Sequence, residues 1–377
     1  LGFSANVTAF AKEEKTPKGG FESAAPYAIL IEQSTGEVLY EKNADEQLPP
    51  ASITKIMTLL LTMEAIERGD ISLEDKVTTS TEASKMGGSQ IWLKEGEVMT
   101  VNELLKAAAI SSANDASYAL AELIGSSHDG FVGMMNDRAK ELKMNNTHFV
   151  NCTGLDADGH LTTARDIAIM SNELIKHDKI REYSTVWMDS LRDGATQLVN
   201  TNRLIKTYKG TTGLKTGTTD LAGKCLSATA QRDDFALTAV VLGLKTSEER
   251  FQTARELLDY GFGNFYFYKA ENIDEKLENM KVKNGVKPET QVYAKYPKGV
   301  LVPLSESKNM SQNIIFDEFV EAPVNRGQQV GKVEIKQGDK VIKEYPICAK
   351  EDICKMTVGK AFGILFNTLV TNSSNIK

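Results

Sequence analysis

The stretch Ile56 to Met63 (IMTLLLTM) is apolar on nearly every side of a helix. Such a helix cannot rest on a surface with one face in water, so it has to run through a core with other elements packed around it. Gly69 supplies a C-cap at its far end. At its near end Pro49-Pro50-Ala51 forces an abrupt start, because proline disfavours helix in the residue before it. Ser52 and Lys55 fall in the first turn, three residues apart and so on one face. A lysine there is expected to lose its water, which lowers its pKa from the usual ~10.4. A neutral amine one turn from a hydroxyl can take its proton and make that oxygen a nucleophile.

The flanking sequence indicates what covers the helix. Tyr27–Ile31 reads as a buried strand, Ser34–Glu37 as a turn and Val38–Tyr40 as the start of a return strand. From about Ser52 to Lys179 the periodicity predicts mainly helix, over Ile53–Glu67, Val101–Ile110, Asp115–Ile124, Gly130–Leu142 and Thr163–Lys176. Strand signals return at Gly213–Thr218, Cys225–Gln231 and Phe235–Leu244, the last two joined by Arg232-Asp233-Asp234, and an amphipathic helix covers Ser247–Tyr260. The expected fold is α+β, an antiparallel sheet flanked by helices with a mainly helical insert. Beyond about Ala270 short alternating segments are spaced by Gly, Pro and Asn, which predicts a small all-β domain. Two domains also suit 377 residues, since single cores rarely grow past ~250–300. The organisation expected is a leader and linker over 1–24, a main domain over 25–268, a β-rich domain over 269–357 and an amphipathic tail over 358–377.

A net charge of −7 argues against a nucleic-acid surface, which needs a clustered basic face. Cys152, Cys225, Cys348 and Cys354 form no C-x-x-C pair and have no histidines at metal-ligand spacing, so neither metal nor cofactor is expected. Cys348 and Cys354 flank a short polar stretch and could pair in an oxidising compartment. Leu1–Ala11 is small and apolar, ends in Ala9-Phe10-Ala11 and is followed by Lys12-Glu13-Glu14, which reads as the end of a signal peptide. No later run reaches the ~18 apolar residues that span a bilayer, so an exported rather than integral protein is expected. In the tail, Val358, Ala361, Phe362, Leu365, Phe366 and Leu369 share a face. That helix either packs on its own domain or lies in a membrane interface, although it lacks the basic face that would favour the second.

Of four histidines, His128 and His177 read as surface residues, and no Gly-x-Ser-x-Gly elbow exposes a serine beside any of them. Ser-x-x-Lys recurs at Ser305–Lys308 and Ser374–Lys377, in polar surroundings that suit surface loops. What singles out Ser52/Lys55 is company. Ser112-Ala113-Asn114 lies between two apolar helices, where the side chains could also serve as helix caps. Lys215-Thr216-Gly217 is the one such tripeptide in the chain and lies on a strand, where the lysine could also keep an edge soluble. The three motifs in this order and setting favour a site with a serine nucleophile over three separate structural roles.

The set resembles the low-molecular-mass penicillin-binding proteins of the D-alanyl-D-alanine carboxypeptidase group (penicillin-binding protein 5 type). Asn151–Leu155, Thr163–Asp166, Asn202–Leu204 and Gly213–Thr219 extend the similarity over roughly 25–268, and Ala322-Pro323-Val324 with Gly327–Ile335 resembles the group's C-terminal domain. The resemblance implies Ser52 as the acylated nucleophile, Lys55 as its base and Ser112 as a proton relay to the departing amine. It implies Asn114 on the substrate amide, Lys215 as positive potential, and Thr216 and Thr218 on the terminal carboxylate, with Gly217 between them. The N–H groups of Ser52 and Thr218 would form the oxyanion hole, and Arg203 and Arg250 would support the carboxylate end. Thr218 departs from relatives that carry histidine there, so their pH dependence does not transfer. The implied substrate is the peptidoglycan stem pentapeptide, β-lactams would acylate the same serine, and the place of action is outside the cytoplasmic membrane. A β-lactamase, a DD-endopeptidase and a catalytically silent wall-binding protein are the alternatives. Glu95 and Glu97, the carboxylates a β-lactamase could use, read as loop surface.

Overall fold

A computed structural model describes residues 21–271, 273–296, 299–363 and 366. The signal-peptide reading of residues 1–11 and most of the tail lie outside the described residues. Contacts divide the chain into two compact units, Leu1–Gly263 and Asn264–Lys377.

The first unit starts with a hairpin of β1 (Tyr27–Glu32) and β2 (Val38–Lys42). A 3-10 turn over Ala51–Thr54 then runs into α1 (Lys55–Arg68), which Gly69 ends in the left-handed conformation at φ 77°. The short pair β3 (Lys76–Thr78) and β4 (Val98–Thr100) brackets α2 (Thr81–Ser84). Next come α3 (Val101–Ile110), α4 (Asn114–Gly125), α5 (His128–Glu141), α6 (Ala164–Ile175) and α7 (Arg181–Ser184). A hairpin of β5 (Met188–Leu191) and β6 (Thr196–Val199) precedes α8 (Leu204–Thr207). The strands β7 (Thr211–Thr219), β8 (Gly223–Arg232) and β9 (Phe235–Leu244) and the helix α9 (Ser247–Asn264) complete the run. The sheet order is β2-β1-β9-β8-β7, with each neighbouring pair antiparallel.

Local chemistry sets several of these boundaries. Thr100 and Glu103 form a reciprocal capping box on α3, and Ser127 and Thr163 cap α5 and α6 through their hydroxyls. The all-round apolar reading of α1 is borne out: Ile56, Met57, Leu59, Leu60, Leu61 and Met63 are each at most 4% exposed. α1 packs against α3, α4, α5 and α6.

Two features differ from expectation. The hairpins β3–β4 and β5–β6 were not legible, because three- and four-residue strands are too short for a period of two to register. Ser52 also precedes the α-helix rather than lying in its first turn. In a 3-10 turn, with three residues per turn, positions i and i+3 eclipse, so Ser52 stacks more directly over Lys55 than an α-helix would allow.

The second unit is β-rich. β10 (Phe265–Lys269) pairs with β14 (Gly299–Pro303), and β11 (Met280–Lys283) lies between β12 (Glu289–Thr290) and β16 (Val320–Glu321). The larger sheet runs β13 (Val292–Ala294), β18 (Lys340–Ala349), β17 (Gln329–Gln337), β15 (Met310–Phe316). Val282, Val302, Val330, Val333, Ile335 and Ile347 form its own core. Cys348 and Cys354 are both free thiols, the first buried and the second exposed, so the bridge considered for them is not made.

Candidate active site

Lys55 is fully buried, yet its Nζ reaches three oxygens: Ser52 Oγ at 3.0 Å, Asn114 Oδ1 at 2.5 Å and the Thr153 carbonyl at 2.7 Å. Burial drives its pKa down to about 7. Cys152 could oppose this only as a thiolate, and burial pushes that thiol up to about 12, which leaves Asp115 as the acid that supports the charge at neutral pH. An ammonium would donate to all three oxygens. A neutral amine keeps two N–H groups and one lone pair. Asn114 Oδ1 and the Thr153 carbonyl can only accept, so the N–H groups stay with them and the lone pair falls to the hydroxyl of Ser52. When Lys55 is neutral, the cluster thus turns its lone pair toward the Ser52 hydroxyl. Ser52 itself is partly exposed, within reach of a substrate.

The loop between α2 and β4 packs on Asn114. Asn114 Nδ2 donates to the Gly87 carbonyl at 2.6 Å, and the Asn114 N–H donates to the Ser89 carbonyl at 2.7 Å. Gly88, left-handed at φ 76°, has room for no Cβ, which would lie 2.8 Å from Asn114 Nδ2. Neither Ser112 nor Asn114 is a helix cap: Ser111 ends α3, and Ala113 precedes α4 without a side-chain bond. Ser112 instead accepts a hydrogen bond from Lys215 Nζ at 2.8 Å.

Lys215 lies on β7, an edge strand as the solubility reading required, but it is only 1% exposed. Burial, with Lys55 and Arg250 nearby, holds its pKa well below the usual lysine value. Gly217 lets β7 approach the Ser52 turn, since a Cβ there would stand 3.0 Å from Ala51 Cβ and Ile53 Cγ1. Gly154, at φ 86°, does the same from the other side, where a Cβ would lie 1.8 Å from the Ala51 carbonyl oxygen.

The remaining expected residues lie about the end of β7 and the start of α9. Thr216 Oγ1 donates to Thr201 Oγ1 at 2.7 Å, and Thr218 Oγ1 donates to the Gly217 carbonyl at 2.8 Å. Arg250 Nη1 lies 3.2 Å from the Gly217 carbonyl and 3.3 Å from Thr218 Oγ1. Burial lowers the Arg250 pKa to about 10, so it stays charged at neutral pH. Arg203 and Arg250 both sit over the Phe251 ring and line one pocket with Thr201 and Ser247. The described parts of the other readings lie elsewhere. Ser305 and Lys308 are exposed, and Ser374–Lys377 falls outside the described residues. Glu95 is exposed, and Glu97 bonds Arg192.

Sequence reasoning missed the Thr153 carbonyl and the Gly87 carbonyl, because a backbone oxygen has no residue signature. It also left His160 unassigned. Its Nδ1 accepts from the Val150 N–H, so its Nε2 carries the proton and donates to Thr54 Oγ1, each at 2.8 Å. Burial pushes it down to about 4, so it is a neutral brace for the Ser52–Lys55 turn, with no nitrogen left to act as a base. His128 stacks on Tyr118 beside Asp129, and His177 meets Glu67, both partly exposed as expected.

Residues 11–246 match the family model described as D-alanyl-D-alanine carboxypeptidase, and residues 267–355 match that of the penicillin-binding protein 5 C-terminal domain. The chain is 42% identical to the D-alanyl-D-alanine carboxypeptidase DacF of Bacillus subtilis over 352 residues, 92% of this chain and 90% of that protein. It is 36% identical to the D-alanyl-D-alanine carboxypeptidase DacC of Escherichia coli, over 92% of this chain and 88% of that protein. Among solved structures, penicillin binding protein 5 from Haemophilus influenzae superposes with a TM-score of 0.78 at 27% identity, covering 89% of this chain and 98% of that one. Penicillin binding protein 6B from Escherichia coli gives 0.72 at 28%, covering 88% and 97%.

Proposed function

The chain belongs to the D-alanyl-D-alanine carboxypeptidase family of serine peptidases, and from that premise we propose that it cleaves the terminal D-alanine from peptidoglycan stem pentapeptides through an acyl-enzyme on Ser52. The observation that carries this reading is the bonding of Lys55, whose lone pair is left to the hydroxyl of Ser52. Residues 25–268 hold the acyl-transferase machinery, and 269–357 form the accessory β-rich domain.

The terminal carboxylate of the substrate is drawn toward Lys215, Arg250 and Arg203 and bonded by the hydroxyls of Thr216 and Thr218. That orientation brings the scissile carbonyl to the N–H groups of Ser52 and Thr218, where negative charge on its oxygen is stabilised as it develops. Lys55 takes the proton as Ser52 Oγ attacks. Asn114 has one Nδ2 hydrogen committed to Gly87 and the other free for a substrate amide. Ser112 accepts from Lys215, so its own proton is available to the amine of the departing D-alanine. Water then hydrolyses the acyl-enzyme. A β-lactam enters the same route and stalls where that last step is slow.

A stem pentapeptide incubated with the protein is expected to yield tetrapeptide and free D-alanine in equal amounts. A crosslinked product in place of D-alanine would identify a transpeptidase. Cleavage of crosslinked dimers alone would identify an endopeptidase, and no product at all a silent binding protein.

The enzyme acts outside the cytoplasm, where its substrate lies, and we place it peripherally on the membrane. Val358, Phe362 and Phe366 recur every four residues and are 89%, 70% and 58% exposed. This apolar stripe suits the boundary between headgroups and acyl chains, where each such side chain gains about 1.5–3 kcal/mol on burial. No helix among the described residues is long and apolar enough to cross a membrane. Deleting residues 358–377 is expected to move the protein from the membrane fraction to the soluble one. Equal membrane recovery with and without the tail would remove the anchor.

A further inference from the structure

We propose that Trp92 and the pocket beside it bind a sugar ring of the glycan strand that carries the stem peptide. The inference rests on the carboxypeptidase reading and adds a second point of contact with the same substrate.

Trp92 is 73% exposed, while its neighbours Ile91 and Leu93 are 2% and 3% exposed. The backbone imposes this. The carboxylate of Asp115 accepts from the N–H of Ile91 at 3.1 Å and of Leu93 at 3.0 Å, pinning both sides, and Trp92 itself sits at φ 54°. A bulky residue in the left-handed region is uncommon, and such strain gathers at ligand sites. The indole therefore projects into solvent from a backbone that is held on both sides.

Polar groups converge beside it. Arg192 donates from Nε to Glu97 Oε1 at 2.7 Å, and from Nη1 to the Ile91 carbonyl at 2.9 Å and to Thr196 Oγ1 at 2.8 Å. Its Nη2 is buried with no partner among the described residues. Lys94, Glu97, Arg192 and Thr196 line the pocket with Trp92. A pyranose ring presents one face of C–H groups to an aromatic surface and a rim of hydroxyl and acetamido groups to polar side chains, and this pocket offers both.

The position suits the substrate. Gly88 packs against Asn114 in the catalytic cluster, and Trp92 lies four residues further on, so its Cα is within about 14 Å of that of Gly88. The four stem residues between the scissile carbonyl and the sugar, extended, span about 14 Å, enough to carry the sugar away from Ser52 along this side of the site.

Turnover of a disaccharide-pentapeptide and of the free pentapeptide would be compared for the native protein, Trp92→Ala and Trp92→Phe. In Trp92→Ala the preference for the glycan-bearing substrate, as a ratio of kcat/KM values, is expected to fall about ten-fold, the loss of one stacking contact, with Trp92→Phe restoring most of it. An unchanged ratio would overturn the proposal. If the native protein released no D-alanine from either substrate, the functional reading would fall, and a titration would decide the site by itself. Adding N-acetylglucosaminyl-N-acetylmuramic acid should shift tryptophan emission saturably, and Trp92→Phe should remove the shift. No shift up to millimolar sugar would exclude the site.

Discussion

Ser52→Ala is expected to abolish covalent labelling by a fluorescent penicillin and to lower the rate of D-alanine release by about 10⁶-fold, the loss seen when a serine peptidase loses its nucleophile. Nothing else among the described residues is placed to replace the missing oxygen. Ser112, the next hydroxyl in the cluster, accepts from Lys215 rather than from Lys55. The fold should survive. Ser52 is partly exposed, and its loss leaves Lys55 bonded to Asn114 and Thr153, so the cost is about one hydrogen bond, or ~1 kcal/mol. Intact-mass measurement after penicillin treatment, beside a thermal melt, checks both halves. A label that persists on Ser52→Ala would place the nucleophile elsewhere.

Lys55→Met is expected to slow acylation by about 10²–10⁴-fold, the usual contribution of a general base. It should also change the shape of the pH profile. In the native protein the base works only when neutral, so the acylation rate rises with pH through a midpoint of about 7, and the variant lacks that limb. Stability provides an independent check. The pKa of Lys55 is about 7 in the folded protein and 10.5 unfolded, so between these values the unfolded chain binds the extra proton. The stability of the native protein relative to Lys55→Met therefore rises with pH across that window, by up to about 1.4 kcal/mol per unit. A flat difference between pH 7 and 9 would mean that Lys55 keeps its charge in the fold, and the proposed base would be lost with it.

The two variants separate what kinds of information the site contains. The apolar run Ile56–Met63 announced a buried helix, and the motifs around Ser52, Ser112 and Lys215 announced the chemistry, because side-chain type and short-range periodicity are local properties of a chain. The change of texture near Ala270 announced the β-rich part in the same way. Roles for Asn114, Thr216, Thr218, Arg203 and Arg250 came from resemblance to a family; the structure bonds Asn114 to Lys55, Thr216 to Thr201 and Arg250 to Thr218, and puts Arg203 and Arg250 in one pocket with Thr201.

Only the folded chain decided how Lys55 is held. Its partners Asn114 and Thr153 are 59 and 98 residues away, and Lys215 meets Ser112 across 103. One of these partners is a backbone carbonyl, identical in every residue and so invisible to any motif. The 3-10 turn at Ser52 and the outward Trp92 were equally hidden, since each depends on distant groups such as Gly154 and Asp115 rather than on neighbours in sequence. Sequence by itself determined which groups were present and on what kind of element. Tertiary structure decided which of them touch, and that is what lowers the pKa of an ordinary lysine to about 7, because a pKa answers to solvent exclusion and to hydrogen-bond partners brought together from across the chain.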